Sequence, residues 1–313
     1  MRSGNVRGSL MLLAAALIWG TAFVAQSEGM NYVEPFTYNA VRTLIGGLVL
    51  VPVIFIFRKA GIGQKKRAPL KVTVTGGVVC GIVLFAASSL QQCGISMTTA
   101  GKAGFITALY IVLVPLAELF LGRQPPKHIW LCIAGAAAGF WLLCIKEDFT
   151  VNRGDLLVLC CAVFFALHII VIDRYNGQAA DAVMMSCIQF FTAGMLMTAV
   201  MLVTEKPVLS DIWAAKGTIL YTGVLSSGVA YTLQILGQRR TPPAAATLLM
   251  SLESVFAALS GWLILHETLT GRELAGCVLV FAAVILAQLR PSARHKELIA
   301  AQERRIENEE ASE

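Results

Sequence analysis

Long apolar runs, interrupted by short clusters of turn-forming and charged residues, make up most of the chain. A helix rises about 1.5 Å per residue, so an apolar run of roughly 17 to 25 residues crosses a hydrocarbon core of about 30 Å. The pattern predicts ten such helices, over residues 9–26, 35–57, 72–92, 98–121, 129–145, 156–172, 182–203, 218–237, 243–265 and 274–289. The connectors between them, such as 61–67, 123–127 and 239–243, carry Gly, Pro, Lys and Arg and are short enough to make neighbouring helices antiparallel. The predicted fold is an all-α membrane protein with ten transmembrane helices.

The basic residues orient it. Of 25 Lys and Arg residues, 18 fall on one side of this arrangement and six on the other, while Arg42 lies inside a span. Basic residues are retained in the cytoplasm, so both termini are expected there, in a multi-pass protein of a bacterial-type plasma membrane. Arg2 and Arg7 before an apolar stretch resemble a secretory leader. Further spans follow at once and no small-residue cleavage site precedes Gln26, so residues 9–26 are read as a retained first span. Residues 290–313 are charged throughout and read as a solvated cytoplasmic tail.

Composition excludes several classes. With 57% hydrophobic and 14% charged residues and a mean hydropathy of +0.71, the chain is far from a soluble globular domain. The net charge of +6 punctuates apolar runs instead of forming a basic surface, so no nucleic acid is expected as a partner. The cysteines sit in or at the ends of apolar stretches and read as small buried hydrophobes, with no metal site implied. The segment 96–103 superficially follows a phosphate loop, but Ser96 stands at its first glycine position and Ala103 after its lysine, so no nucleotide site is expected. No cofactor is implied. Paired carboxylates with a metal motif, a nucleophile elbow and a His-Asp cluster are all missing, which argues against an enzyme.

An internal repeat narrows the architecture. Shifting the sequence by 143 residues aligns 90–123 with 233–266 without a gap. Leu90, Gln91, Gly94, Thr98, Leu109 and Leu116 then meet Leu233, Gln234, Gly237, Thr241, Leu252 and Leu259. Each unit holds five predicted spans, an odd number, so the second enters the membrane from the opposite side. Two inverted five-helix repeats, over 9–145 and 154–289, place a substrate site near the midplane of an alternating-access transporter.

The motifs Ala16-Leu17-Ile18-Trp19-Gly20-Thr21-Ala22-Phe23, Pro35-Phe36, Arg42 with Gly46-Gly47, Ser251-Leu252-Glu253-Ser254-Val255-Phe256 and Leu265-His266-Glu267-Thr268-Leu269-Thr270 resemble the EamA-type family of the drug/metabolite transporter superfamily. Ser254 stands where that family often has proline, and Gln124 occupies the position that matches Glu267. The resemblance implies export of amino acids or related metabolites. A scaffold, or a channel without coupled transport, is the alternative reading.

Ionisable residues inside spans are the first candidates for function. Arg42 lies roughly 10 Å into the core and its planar fork suits a carboxylate, unless it is pinned to helix-end carbonyls. Glu253, roughly 15 Å in, must be protonated, paired or hydrated, and is a candidate for proton coupling or for a structural hydrogen bond. Lys102 either snorkels to the interface or supplies a second cation near Arg42. His168 is a candidate proton relay or the partner of a neighbouring helix. Ser227, Tyr231 and Gln234 are expected on one face of the eighth span, while the third offers Ser88, Gln91 and Gln92 and the fourth Thr107 and Tyr110. Such stripes serve interhelical hydrogen bonds or a water-filled cavity. Trp19 lines that cavity or packs beside it. A small-molecule substrate, the lipid bilayer and protons as a coupling ion are the implied partners.

Overall fold

The structure, a computed structural model, describes residues 3–59, 70–98, 100–123, 125, 127–144, 152–178, 180–264 and 270–289. Among these residues it is entirely helical. The helices are α1 (Ser3–Gly29), α2 (Pro35–Lys59), α3 (Leu70–Ile95), α4 (Ala100–Thr107), α5 (Tyr110–Phe120), α6 (Lys127–Cys144), α7 (Arg153–Asn176) and α8 (Ala182–Thr204). They are followed by α9 (Leu209–Ala214), α10 (Lys216–Leu220), a π-helical segment (Tyr221–Ala230), α11 (Tyr231–Gln238), α12 (Pro243–Met250), α13 (Leu252–Ile264) and α14 (Gly271–Leu289). Among the described residues eight stretches are long and apolar enough to cross a membrane, and Leu274–Leu286 is a shorter apolar helix. Their outward faces carry large apolar side chains, with Phe120 92% and Val203 86% exposed, a surface suited to lipid. Gln124, Glu267 and the tail 290–313 lie outside the described residues.

Helix pairing follows a two-fold pattern. α2 packs on α8, α6 on α14, and α3 on α7 and α8. α1 packs on α13 and on the segment from α10 to α11, which also packs on α2, while α4 and α5 pack on α7. Exchanging α1 with α7, α2 with α8, α3 with α10–α11, α4–α5 with α12–α13 and α6 with α14 maps this pairing onto itself. The repeat seen in the sequence is therefore also a repeat of contacts.

Three of the predicted spans are not regular helices. The fourth breaks between α4 and α5, and the ninth breaks at Ser251 between α12 and α13. Equivalent backbone bonds tighten both breaks: Ile111 N donates to Ala108 O at 3.0 Å and Ser254 N to Ser251 O at 3.2 Å, each three residues back instead of four. No proline is needed at 254, because the Ser251 hydroxyl donates to Leu248 O at 2.9 Å and competes with the helical ladder. The eighth span winds as a π-helix from Tyr221 to Ala230, through Gly223, Ser226, Ser227 and Gly228.

Close approach of the repeats depends on missing side chains. A Cβ on Gly20 would lie 2.4 Å from Phe256 Cβ and 2.7 Å from Glu253 O, so only glycine lets α1 press on the start of α13. A Cβ on Gly46 would lie 2.6 Å from Ser227 Cβ, where α2 meets the π segment. The start of α2 is held by Glu205, whose carboxylate accepts from Phe36 N at 2.8 Å and Thr37 N at 2.6 Å. This anchor fixes the register of α2, and with it the position of Arg42.

Candidate functional site

At the breaks, α5 and α13 each begin inside the protein, and their first residues are Tyr110 and, one position in, Glu253. These two residues are related by the repeat, 143 positions apart, and they touch: the Tyr110 hydroxyl donates to Glu253 Oε1 at 2.9 Å. Both are buried. Glu253 sits in the first turn of α13, where the helix dipole favours a negative charge.

Around this pair is a cavity. Its lining follows the repeat. Gln91 and Gln234 are equivalent, as are Thr107 and Met250, and Tyr110 and Glu253; α1 and α7 add Trp19 and Phe23 against Phe165 and Ile169. Arg42, Gln26, Ser226 and Tyr231 complete it. The polar and charged groups thus depart from two-fold symmetry, with a cation at one edge and a carboxylate near the axis.

Arg42 is 5% exposed. Its Nε donates to Asn39 Oδ1 at 2.7 Å, Asn39 donates in turn to Ser88 O at 2.9 Å, and the guanidinium lies 5.9 Å from the Tyr38 ring centre. Among the described residues no carboxylate pairs with it. The Asn39 bond aims the fork while the cation keeps its charge uncompensated, an arrangement suited to an anionic group entering the cavity. Trp19 Nε1 donates to Ser226 O at 3.3 Å, and its ring meets Tyr231 edge-on at 4.9 Å, so these two aromatics form one rigid wall. Gln91 Nε2 donates to Thr107 Oγ1 at 3.2 Å.

Trp19, Arg42, Gln91, Tyr110, Tyr231, Gln234 and Glu253, singled out from sequence, therefore surround one space. His168 does not line it. His168 is fully buried behind Tyr231, 5.9 Å from that ring, and bonds Gln189 at 3.1 Å. Lys102 belongs to α4, and its side chain lies outside the described residues. Ser227 is a correction: Ser226 lines the cavity with Tyr231 and Gln234, while Ser227 packs against Gly46. The π-helix closes its hydrogen bonds five residues apart, which moves the face by one position relative to an α-helix. Gln26 was missed. It is a lone polar residue near the end of an apolar run, and its amide oxygen is buried without a partner among the described residues.

A family model described as the EamA-like transporter family matches residues 6–145 and again 152–289. The chain belongs to this family. An uncharacterized transporter of Archaeoglobus fulgidus is 31% identical over 90% of this chain and 85% of its own length. The threonine/homoserine exporter RhtA of Salmonella typhimurium is also 31% identical, over 88% of this chain and 89% of its own. Protein PecM of Dickeya dadantii is 25% identical over 88% and 90%. One crystal structure shares the fold, with a TM-score of 0.72 at 21% identity over 90% of this chain and 98% of the other. This EamA-like protein is accordingly a multi-pass membrane transporter of the drug/metabolite superfamily, with a small-molecule substrate and a lipid environment. Membership speaks against the scaffold reading and against an enzyme.

Proposed function

We propose that this EamA-like protein exports a small amino-acid-like metabolite across the plasma membrane by alternating access, with protons as the coupling ion. Its ten spans form two inverted five-helix repeats with both termini and the tail in the cytoplasm. The observation that carries the proposal is the cavity lined by both repeats, with a guanidinium that no described carboxylate pairs and a carboxylate in its wall. Arg42 receives the substrate carboxylate, and the Trp19–Tyr231 wall packs its carbon skeleton. Glu253, held by Tyr110 across the repeat axis, receives the ammonium group or a proton by turns. When the proton leaves, the carboxylate attracts the ammonium; when it returns, the substrate is released. The two-fold pairing of helices supports alternating access, since a rocking of one repeat against the other exchanges equivalent contacts. The name of the RhtA relative supports export and the amino-acid class.

The test is uptake of a radiolabelled amino-acid mixture into everted membrane vesicles, with and without an imposed pH gradient. Gradient-dependent accumulation above that of vesicles lacking the protein is expected. Equal accumulation in both, for correctly folded protein, overturns the proposed substrate class.

A further inference from the structure

α11 leads away from the cavity along a line of buried polar residues. Gln234 lines the cavity, Gln238 follows one turn later, and Thr241 lies just past the helix end. Gln234 and Gln238, four residues apart, share one side of the helix, and with Thr241 the line runs roughly 10 Å toward the connector that bears Arg239 and Arg240. All three are at least nine-tenths buried, and Gln234 Oε1, Gln238 Oε1 and Thr241 Oγ1 lack a hydrogen-bond partner among the described residues. Gln238 Nε2 donates to Ile169 O at 3.3 Å, which fixes the amide and leaves its oxygen as the free acceptor.

The equivalent positions of the first repeat form no such line. Gln91, the equivalent of Gln234, is bonded to Thr107; the equivalent of Gln238 is the apolar Ile95; and Thr98, the equivalent of Thr241, donates to Asp155 at 2.6 Å. Ser89 Oγ and Gln92 Oε1 on α3 are orphaned too, but at positions equivalent to 232 and 235, not to this line. Buried polar atoms are normally satisfied, so three orphans in a row leading from the cavity need a reason. α1 lies against the outer end of this line: a Cβ on Gly237 would lie 2.7 Å from Leu12, and one on Gly8 would lie 3.0 Å from Thr241 Oγ1.

We infer that Gln234, Gln238 and Thr241 form the passage by which substrate moves between the central cavity and the membrane face bearing Arg239 and Arg240, closed in this structure by α1 at Gly8 and Leu12. The inference rests on the transport reading above. A row of acceptors passes along a ligand by its N–H or O–H hydrogens, which suits an ammonium or hydroxyl group. When α1 withdraws, water and substrate satisfy the three oxygens.

Single cysteines at Gln238 and Thr241 would be exposed to a membrane-impermeant maleimide in everted and right-side-out vesicles, with labelling of the unsubstituted protein subtracted. Modification from the face bearing Arg239 and Arg240, and not from the other, is expected. In parallel, Gln238→Met and Thr241→Val are expected to lower uptake of the amino-acid mixture at least tenfold. Absence of labelling from both faces, or full uptake by both variants beside an active wild type, overturns the passage. If the wild type moves no amino acid, the proposed substrate class fails instead, and the sidedness of labelling alone decides the passage.

Discussion

Removing the Tyr110 hydroxyl is the perturbation with the most informative magnitude. Tyr110→Phe deletes the 2.9 Å bond to Glu253 in a site where each residue is 4% exposed, and it leaves the ring packing intact. A hydrogen bond to a charged group contributes about 1.5–3 kcal/mol, which at about 1.4 kcal/mol per decade is roughly a 10- to 100-fold effect. If Tyr110 acts by placing the Glu253 carboxylate, uptake efficiency in proteoliposomes falls by that factor and its pH profile shifts. In Glu253→Gln the same hydroxyl has no charged partner, so adding Tyr110→Phe costs much less than it does alone. The double-mutant cycle over Tyr110→Phe and Glu253→Gln reads this coupling directly. Additive losses, with an unmoved pH profile in Tyr110→Phe, would refute the argument that the two equivalent residues act as one unit.

Other expectations follow from the same geometry. Gly20→Val forces branched carbons into a gap where one Cβ already lies 2.4 Å from Phe256, so unfolding in detergent, followed by fluorescence, should show a loss of at least the ~1–3 kcal/mol typical of overpacking. Arg42→Lys keeps the charge but loses the fork and its Asn39 bond, and the apparent KM for amino-acid uptake should rise about tenfold, in line with ~1.5 kcal/mol for one charge-assisted bond. The Arg123–Asp173 pair, 2.5 Å apart with Arg123 52% exposed, is screened by solvent, so Arg123→Gln should change stability by only ~0.2–1 kcal/mol in the same unfolding measurement.

The membrane fold was legible because long apolar runs leave few other structures open to the chain, and the gap-free shift of 143 residues exposed the repeat. That same shift places Tyr110 on Glu253, but only the structure shows that these equivalent residues touch. Most of the cavity wall was legible as well, since an Arg or Glu inside a span has few tolerable places except an interior cavity. What escaped depends on departures from regular helix. The breaks at 108–109 and 251 use i to i−3 backbone bonds that ordinary apolar and serine residues permit, and no proline or glycine marks them. The π segment exchanges Ser227 for Ser226 at the cavity by a change of winding that side-chain spacing cannot reveal. Gln26 stood outside any stripe, and only the folding of α1 against α3 places it at the site.

The central claim is that Arg42 and Glu253 hold one substrate between the repeats. Counterflow of amino acids in proteoliposomes, measured without any gradient and then with a pH gradient, tests it for wild type, Glu253→Gln and Arg42→Met. The account predicts exchange in the wild type, loss of gradient-driven accumulation in Glu253→Gln, and loss of both activities in Arg42→Met. Gradient-driven accumulation at the wild-type rate in both folded variants would contradict it.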